Sequence, residues 1–590
     1  MKKFLPISRN DLKERGISQL DIILITGDAY CDHPSYGAAV IGRVLEDAGF
    51  TVGVIAQPDW RSTRDFMRLG RPRLFFGITA GNLDSMVANY TANKRPREGD
   101  EYSPGGVAGL RPDRALIKYA NMVRQAFENA PIVIGGLEAS LRRFAHYDYW
   151  DNAPRRSILL DAKADVLVYG MGERQVVEIA RRLNNGASIK EIDGIKGTVV
   201  ARGAAAIPEV YNALPSFEEV AADTDAFNRA FREIYRESDP FRGKTLVQKH
   251  GSRSIVAFPP AEPLSTAEFD RVAALAYVRA QHPSYEALGG IPGYAMATAS
   301  VIATRGCCGE CAFCSLYFHQ GRIVQSRSRE SVLAEIDRIA ADKHFTGTIT
   351  DIGGPTANLY GARCKLWKTA GACKDKKCLM PEKCRHLELG FDELVRLLAD
   401  ARTRPGVRHV FLSSGLRYDL LLDAYSDRFL GELCAHHVSG QLKVAPEHIA
   451  PHVLALMNKP SAGAYEAFEK RFYSCSKKIG KEQYLVNYLI SGHPGSTLKD
   501  ALELSLYLME HKIHPEQVQD FIPLPLTTAG CMYYTEKDPF TGAKVYVAKT
   551  FTERKMQRAL IQYKNPGSKA LILDALRVLG RMDLKKRFIW

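Results

Sequence analysis

Short runs of apolar residues alternate with helix-like stretches through residues 21 to 173. Five runs are almost continuous in Val, Ile, Leu and Phe, at 21–27, 51–56, 74–78, 131–136 and 165–170. Strands that are apolar at every position are buried on both faces, which is typical of a parallel sheet covered by helices. Most of these runs end near glycine or another small residue. We therefore predict a doubly wound parallel α/β domain with loops at the carboxyl ends of its strands.

A second β/α alternation begins at residue 297. The candidate strands are 297–303, 347–352, 408–413, 440–445, 483–491 and 516–523. Helical periodicity occurs at 329–341, 391–402, 419–436, 463–478 and 497–511. Six β/α units predict a partial (β/α)6 barrel, and in parallel barrels the chemistry occurs in the loops that follow the strands.

These patterns divide the chain into regions of different character. The stretch between the two alternations is more helical and more charged, so we interpret it as a connection. The predicted regions are an α/β domain at 1–200, a helical connecting region at 201–290, a barrel at 291–540 with a Cys-rich basic insertion at 356–390, and a basic C-terminal segment at 541–590.

Composition limits the class of protein. The 590 residues are 46% hydrophobic and 25% charged, which is ordinary for a soluble chain of two or three domains. Polar residues soon follow the first few positions, and no run of 18 apolar residues occurs. We expect a cytoplasmic protein with no membrane association. Eight of the 12 cysteines lie between 307 and 384, which indicates metal ligation rather than a disulfide framework.

The net charge of +14 is concentrated in two segments. Residues 363–385 contain eight basic and two acidic residues, and residues 551–590 contain ten basic and three acidic residues. Clustered positive charge suits a polyanionic partner such as RNA, because phosphate neutralisation supplies much of the affinity. A solvated basic surface without a specific partner is the alternative, since neither segment contains a recognised RNA-binding motif.

The loop after the first barrel strand carries closely spaced cysteines. Cys307, Cys311 and Cys314 have the spacing Cys-x3-Cys-x2-Cys, which supplies three thiolates to an iron–sulfur cluster and leaves one iron of a cubane open. Cys308 could instead begin a ferredoxin-like run, but Phe318-His319 stands where the further Cys-Pro is needed. A structural zinc site is the remaining alternative.

This spacing, with the aromatic Phe313 just before the last cysteine, resembles the signature of the radical S-adenosylmethionine (SAM) enzymes. The segments 28–37, 282–285, 319–322 and 325–328 resemble the YgiQ family of radical SAM proteins, and the likeness extends over nearly the whole chain. The resemblance implies an enzyme with a [4Fe–4S] cluster at Cys307, Cys311 and Cys314, bound SAM, and a low-potential electron donor such as flavodoxin or ferredoxin. It leaves the physiological reaction open.

The resemblance also implies residues that contact SAM. Gly353 and Gly354 lie where the family's glycine-rich motif contacts the methionine moiety, and we expect glycine to permit close backbone approach to the ligand. Side chains at later strand ends are implied near the ribose, carboxylate or adenine of SAM, or near the substrate: Ser414, Arg417, Glu447 and Ile490. A simple turn at Gly353-Gly354-Pro355 and ordinary barrel-end residues are the alternatives.

A second group of cysteines lies in the basic insertion. Cys364, Cys373, Cys378 and Cys384 suffice for a tetrahedral zinc or a fully ligated iron–sulfur cluster, although their spacing matches no standard zinc finger. The sequence predicts a second metal centre here, with uncoordinated thiols as the alternative.

Three functions remain open at this point. The first is reductive cleavage of SAM, with an RNA or protein substrate suggested by likeness to methylthiotransferases. The second is a cobalamin-dependent radical SAM methyltransferase, because the first domain resembles a cobalamin-binding domain. The ligating pattern Asp-x-His-x-x-Gly is not met, however, by Asp32-His33-Pro34-Ser35-Tyr36-Gly37. The third is a non-enzymatic iron–sulfur RNA-binding or sensor protein.

Overall fold

The structure is a computed structural model that describes residues 3–516 and 518–588. Its strands alternate with helices along most of the chain. In chain order the strands are β1 Ile22–Thr26, β2 Cys31–Asp32, β3 Val52–Ala56, β4 Phe75–Thr79, β5 Ile132–Gly135, β6 His146–Asp148, β7 Ala153–Arg155, β8 Val166–Val168, β9 Thr198–Arg202, β10 Asn212–Leu214, β11 Leu246–His250, β12 Arg253–Ala257, β13 Ala280–Gln281, β14 Ser300–Ile302, β15 Thr304–Arg305, β16 Gln325–Ser326, β17 Thr348–Ile349, β18 Asp351–Gly353, β19 Arg363–Cys364, β20 Leu387–Glu388, β21 His409–Val410, β22 Gln441–Glu447, β23 Tyr484–Ser491 and β24 Val518–Asp520.

The helices vary from single turns to 17 residues. They are α1 Arg9–Glu14, α2 Gly37–Asp47, α3 Ser85–Asn89, α4 Ala115–Ala126, α5 Leu137–Leu141, α6 Ile158–Asp161, α7 Glu173–Asn184, α8 Phe217–Ala222, α9 Thr224–Arg236, α10 Thr266–Ala274, α11 Pro292–Ala297, α12 Leu316–His319, α13 Arg329–Ala340, α14 Trp367–Ala370, α15 Phe391–Arg402, α16 Asp427–Glu432, α17 Pro451–Met457, α18 Ala462–Lys478, α19 Leu498–Glu510, α20 Thr528–Thr535, α21 Phe551–Ile561, α22 Lys569–Val578 and α23 Lys585–Phe588. Within the described residues, none is long and apolar enough to cross a membrane.

The chain folds into two compact units, each made of several segments. Unit 1 comprises Met1–Ile302, Ser315–Glu335 and Leu366–Asp375, as far as these residues are described. Unit 2 comprises Ala303–Cys314, Ile336–Lys365 and Lys376–Trp590, with the same restriction. The cysteine loop therefore belongs to unit 2.

Unit 1 is built on one nine-stranded sheet, in the order β10-β11-β12-β9-β8-β5-β4-β1-β3. The five strands β3, β1, β4, β5 and β8 are parallel. Their apolar runs suit burial on both faces, and helices connect them except between β3 and β4, where the connection consists of turns. The side chains of β1 are buried at every position. The predicted fold class, a parallel α/β domain followed by a β/α region, is confirmed.

Residues 201–290 differ from the helical connection that their composition suggested. Three strands of the sheet, β10, β11 and β12, lie in this region beside helices α8 to α10. The polar residues of β11 concealed it as a strand. Gln248 is buried but satisfied, since its Oε1 accepts a hydrogen bond from Ala145 N at 2.8 Å and its Nε2 donates to Pro215 O at 2.9 Å.

The carboxyl ends of β1 and β4 are closed by buried ion pairs. In doubly wound sheets this switch point is where ligands commonly bind. Here the Arg111 guanidinium lies 2.8 Å from Asp28 Oδ1 and 3.0 Å from Asp100 Oδ2, and its side chain is fully buried. Gly81 has φ +106°, and a Cβ at this residue would lie 2.0 Å from Asp28 Oδ1. Protein side chains thus fill this crevice.

Unit 2 contains a parallel three-stranded sheet, β22-β23-β24, and a parallel pair, β17 and β21. Helices α19, α21 and α22 pack into one apolar core with residues of β23 and β24. The predicted helix at 419–436 is interrupted in the structure. The Asp423 carbonyl accepts hydrogen bonds from both the backbone N–H and the hydroxyl of Ser426, so α16 begins only at Asp427.

Candidate metal centre

The cysteine loop of unit 2 is fixed by backbone hydrogen bonds. Ala312 N donates to Met457 O at 2.9 Å, and Ala529 N donates to Ala312 O at 2.9 Å. The Asn458 side-chain amide donates to Gly309 O at 3.0 Å and to Glu310 O at 2.9 Å. Glu310 has φ +48°, a left-handed conformation that these contacts hold in place. The loop conformation therefore depends on segments far along the chain.

The sulfur atoms of Cys307 and Cys311 contact polar groups of the protein at 3.4 to 3.7 Å. Cys307 Sγ is 3.6 Å from Thr356 Oγ1 and accepts from Gly309 N at 3.4 Å. Arg417 Nη1 donates to Cys311 Sγ at 3.7 Å. Burial raises the pKa of the Cys307 thiol, with the neighbouring Cys311 adding to the effect. A thiolate at this position consequently requires a cation beside it, which iron would provide.

Cys308 has a different environment from the cysteines on either side. It is fully buried, and a hydrogen bond to Cys378, followed by burial, raises its pKa well above the ordinary value. Burial lowers the pKa of Lys377, while Glu310, Asp538 and Cys311 oppose that shift. The second half of the basic insertion is thus held next to the cysteine loop within unit 2.

Neighbouring protein atoms leave no room for a side chain at Gly353 or Gly354, the glycine pair after the second predicted barrel strand. A Cβ at Gly354 would lie 2.2 Å from Thr304 Oγ1 and 2.5 Å from Thr304 O. A Cβ at Gly353 would lie 2.1 Å from Ser414 Oγ. Contact with Thr304 and with Ser414 thus requires glycine at both positions, and the predicted approach of a ligand to this turn stays a prediction.

Ser414 and Asp351 form a polar pair beside this turn. The Ser414 hydroxyl donates to the Asp351 carboxylate, and the Ser413 and Ser414 N–H groups donate to Asp351 Oδ1 at 2.8 and 3.0 Å. Burial raises the pKa of Asp351, although these hydrogen bonds lower it in part. Asp351 therefore orients Ser414 at the end of its strand.

Arg417 connects the third strand end to the cysteine loop. Its guanidinium binds both oxygens of Asp419, at 2.9 and 2.8 Å, and its third nitrogen reaches Cys311. Asn358 fixes the backbone of Arg417, since its Oδ1 accepts from Arg417 N and its Nδ2 donates to Arg417 O, both at 2.9 Å. Burial alone would lower the pKa of Arg417, but Asp419 and Cys311 raise it, so the residue is a fixed cation.

Glu447 ends β22 in a strained conformation. Its φ is +67°, in the left-handed region, and its side chain is buried. Lys459 Nζ lies 3.8 Å from Glu447 Oε1. Burial raises the pKa of Glu447, and Lys459 partly offsets that shift. This places a paired carboxylate at the end of the fourth predicted barrel strand.

Aromatic rings surround the end of the fifth predicted barrel strand. Phe313 and His493 are in edge-to-face contact with ring centroids 6.1 Å apart, and His493 also contacts Phe521 at 5.2 Å. Ile490 is buried on β23. His493 is fully buried, its Nδ1 lies 2.8 Å from Pro494 O, and burial lowers its pKa to about 3. His493 is therefore neutral at physiological pH and packs as an aromatic ring between Phe313 and Phe521.

Comparisons with known proteins agree with this architecture. The Radical SAM N-terminal family matches residues 4–300, and a domain of unknown function, DUF3362, matches residues 516–586. A UPF0313 protein of Clostridium botulinum is 50% identical over 98% of this chain and 91% of its own length. One from Methanosarcina acetivorans is 50% identical over 99% of this chain and 81% of its own length. The chain belongs to the UPF0313 family.

Because the Radical SAM N-terminal family matches half of the chain, this UPF0313 protein is a radical SAM enzyme. Weaker similarity extends to two solved structures. The radical SAM methyltransferase TsrM of Kitasatospora setae is 16% identical, covers 87% of this chain and 76% of its own, and has a TM-score of 0.47. OxsB, described as a cobalamin-dependent SAM radical enzyme, is 10% identical, covers 97% and 72%, and has a TM-score of 0.49. The match to the Radical SAM N-terminal family sets the non-enzymatic alternative aside.

The predicted second centre stays a prediction for this UPF0313 protein. Cys364, Cys378 and Cys384 belong to unit 2, whereas Cys373 belongs to unit 1. Cys384 N donates to Cys378 O at 2.8 Å, and β19, which contains Cys364, pairs with β20. In the described residues, no three His, Cys, Asp or Glu side chains are grouped so that they could hold a metal ion.

Several contacts around the cysteine loop had no signal in the sequence. Thr356, Asn358, Asn458 and Lys459 all touch the loop or the residues predicted to surround it. Asn458 and Lys459 follow α17 as an ordinary helix end, and Asn358 lies in a short turn. A family-wide alignment is the signal that could have identified them.

Proposed function

We propose that this protein uses a [4Fe–4S] cluster at Cys307, Cys311 and Cys314 to cleave SAM reductively. The main support is a loop with three cysteines whose backbone is fixed by segments far along the chain. The Cys307 and Cys311 sulfur atoms lie 3.6 Å from Thr356 Oγ1 and 3.7 Å from Arg417 Nη1. When bound, the cluster supplies the electron that converts SAM to methionine and a 5′-deoxyadenosyl radical. Such a radical would be the species that activates an unreactive C–H bond of the substrate.

The donor set fits a cluster better than a single ion. Three cysteines on one loop can each bind a different iron, which leaves one iron without a cysteine and open to SAM. Asn458 and the backbone of Met457 and Ala529 hold the loop before iron binds. The backbone of the loop is thus ordered, whereas the three thiol side chains, which are not grouped as a metal site in the described residues, would reorient when the cluster binds.

Positive charge near the thiolates supports an anionic centre. Arg417 donates to Cys311, and Lys377 is close enough to Cys311 for their charges to interact. A thiolate-ligated cluster is negative, so these cations stabilise it and raise its reduction potential. We assign Arg417 to this role rather than to direct contact with SAM, because Asp419 and Cys311 already engage its guanidinium.

In this proposal, residues at the other strand ends of unit 2 contact SAM. Gly353 and Gly354 leave the backbone of the turn accessible to the methionine moiety, while Ser414 and Glu447 offer polar contacts to the ribose or carboxylate. Phe313 and Ile490 provide apolar surface for the adenine. This assignment rests on the family resemblance together with the polar pairs at the strand ends in unit 2.

The substrate we propose is a polyanionic or acidic macromolecule such as RNA. The exposed side chains of Lys368, Lys376, Lys383 and Arg385 lie in the basic insertion. Several other basic residues are already paired, among them Arg363 with Glu393 and Arg587 with Glu510. Binding should therefore weaken with salt, but with a slope set by the unpaired lysines rather than by the total charge.

A cobalamin-dependent methyltransferase remains the second candidate. Neither the sequence nor the loop after β1 favours cobalt ligation, because His33 is fully buried and Ser35 N donates to its Nδ1 at 3.1 Å. Titration with a corrinoid under anaerobic conditions distinguishes the two candidates.

Anaerobic reconstitution with iron and sulfide, reduction, and assay for 5′-deoxyadenosine test the main proposal. We expect slow SAM cleavage without the true substrate, and none in a variant in which Cys307, Cys311 and Cys314 are all alanine. Cys434→Ala is the matched control, since Cys434 is buried elsewhere in unit 2. If the reconstituted protein contains a cluster and binds SAM but forms no 5′-deoxyadenosine, the proposal is wrong.

A further inference from the structure

The C-terminal segment that matches DUF3362, residues 516–586, packs into the same core of unit 2 as β23. Met556 and Leu560 of α21 belong to one apolar cluster with Leu489 of β23. Leu489 immediately precedes Ile490, which the proposed function puts near the adenine of SAM. The segment is therefore part of the structure that supports this strand end.

One glutamine of α21 joins the segment to the loop that follows β23, residues 492–496. Gln557 is fully buried, and its Oε1 accepts hydrogen bonds from Gly492 N at 3.2 Å and from Ser496 Oγ at 3.3 Å. Its Nε2 donates to Ser496 O at 2.9 Å. A single amide side chain thus binds both ends of the loop. Burial of this amide would be costly without these partners, so the hydrogen bonds hold the loop and the side chain in one arrangement.

The loop needs such support because glycine gives it conformational freedom. Gly492 and Gly495 have φ values of +73° and +94°. A chain with glycine at these positions can adopt many other conformations, so contacts from outside the loop must select this one. Gly495 N also donates to Tyr546 O at 2.7 Å, and Tyr546 belongs to the C-terminal segment too. The segment therefore holds the loop at Gly492, Gly495 and Ser496.

The same loop contacts groups that the proposed function puts around SAM. Ser496 Oγ lies 3.4 Å from His448 Nε2, and His448 directly follows Glu447 at the end of β22. In the middle of the loop, the His493 ring contacts Phe313 of the cysteine loop. A shift of residues 492–496 would consequently disturb both the end of β22 and the cysteine loop.

We propose that Gln557 positions the loop at residues 492–496 for the binding of SAM. It holds the loop in its binding conformation beforehand, so that little ordering opposes the entry of the adenosine moiety. Gln557 contacts the loop and not the ligand, so it acts on affinity rather than on electron transfer. This inference rests on the proposed function, because the SAM contacts at these strand ends are part of that proposal. It gives the DUF3362 segment the role of completing the SAM site.

Substitution of Gln557 by methionine tests this role in the full-length, cluster-containing protein. Gln557→Met keeps the length of the side chain but removes its hydrogen bonds to Gly492 and Ser496. Equilibrium dialysis with radiolabelled SAM, under anaerobic conditions without a reductant, measures the Kd while SAM stays intact. We expect the Kd to rise roughly 10-fold with iron content unchanged. With reductant and saturating SAM, the rate of 5′-deoxyadenosine formation should stay within about 3-fold of the parent.

Tyr563→Phe is the matched control. Tyr563 is a buried residue of the same segment, and its hydroxyl donates to Ile513 O at 3.0 Å, away from residues 492–496. This variant should lower stability but change the Kd for SAM by less than about 3-fold. Ser496→Ala is the second test variant in case Gln557→Met does not fold. It removes the hydroxyl between Gln557 and His448 and should raise the Kd roughly 3-fold or more.

Each outcome of the dialysis decides the inference. An unchanged Kd in a Gln557→Met protein that is folded by circular dichroism and loaded with iron overturns it, while the proposed function stands. If that variant does not fold, an unchanged Kd in Ser496→Ala has the same meaning. An equal rise of the Kd in Tyr563→Phe would attribute the effect to general loosening of the core and would also overturn it. If the iron-loaded parent binds no SAM, the proposed function fails and this inference fails with it.

Discussion

Two polar regions of this protein differ in how closely their buried groups are paired. At the ends of β1 and β4 in unit 1, the carboxylates of Asp28 and Asp100 meet the guanidinium of Arg111 within 3.0 Å. In the cysteine loop of unit 2, the contacts of Cys307 and Cys311 are between 3.4 and 3.7 Å. In the first region, the charged groups form ion pairs with one another. In the second, the thiols, which are the potential metal ligands, have only weak hydrogen-bond partners in these contacts.

The difference separates groups that stabilise the fold from groups that await a ligand. A fully paired arginine leaves no room and no charge for a further molecule, although it lies where doubly wound sheets commonly bind one. Thiols that are fixed by their backbone but weakly engaged through sulfur are suited to iron. Polarity and burial alone would not distinguish the two regions, whereas the pairing of each group does.

The largest expected effect is loss of the cluster from the cysteine loop. Cys307→Ala, Cys311→Ala and Cys314→Ala should each reduce the reconstituted protein from about four irons per chain to a small fraction, because each removes one of only three thiolates. Iron analysis and visible absorption measure this. Loss of iron in Cys308→Ala together with retention in Cys307→Ala would reverse the ligand assignment.

Breaking the closed region should cost stability without removing iron. Asp28→Ala leaves Arg111 buried with half of its partners, which we expect to lower the free energy of unfolding by about 3 to 5 kcal/mol. Urea unfolding followed by fluorescence measures the change. Asp59→Ala is the control, since Asp59 pairs with Arg61 on the exposed surface. A cost near zero for Asp28→Ala would mean that the crevice is less tightly closed than its contacts indicate.

The loop should also depend on its remote anchor. Asn458→Gly preserves the left-handed conformation at φ +56° but removes the amide that donates to Gly309 O and Glu310 O. Two buried carbonyls then lose a partner, which should cost about 2 to 3 kcal/mol and speed iron loss to a chelator. Unchanged iron release relative to the parent would show that backbone contacts alone hold the loop.

A smaller effect is expected from pH. The pKa of His493 is lowered to about 3 by burial, so the unfolded chain takes up a proton below its ordinary value of about 6.5 while the folded chain does not. Its contribution to stability is complete above that value and declines as pH falls toward 3. Between pH 7 and pH 5, His493→Gln should lose about 2 kcal/mol less than the parent. Equal pH dependence in urea unfolding would argue against a neutral buried ring.

The smallest effect is expected at Cys308. Its thiol is hydrogen-bonded to Cys378, and it is not one of the three predicted cluster ligands. Cys308→Ala should therefore retain full iron content and SAM cleavage. The main change should be a modest loss of thermal stability, about 1 kcal/mol, from a small cavity. Cys308→Ser is a useful companion because it fills the same space.

The sequence predicted local features well and remote contacts poorly. The apolar runs identified β1, β3, β4, β5 and β8 because burial on both faces leaves a simple pattern. Cysteine spacing identified the loop because its chemistry lies within eight residues. In contrast, Asn458 contacts the loop from far along the chain, and no local pattern encodes that distance. The sequence did not predict β11, because Gln248 is polar and its burial depends on hydrogen bonds to distant residues.

The order of segments along the chain has a consequence for biosynthesis. The cysteine loop leaves the ribosome long before Asn458 and Ala529, whose contacts fix its conformation. At ordinary rates of synthesis the delay is on the order of tens of seconds. During that time the nascent thiols are unprotected from oxidation and from stray metal ions. Iron delivery should therefore follow translation, so a cell short of iron would accumulate a complete but unloaded chain.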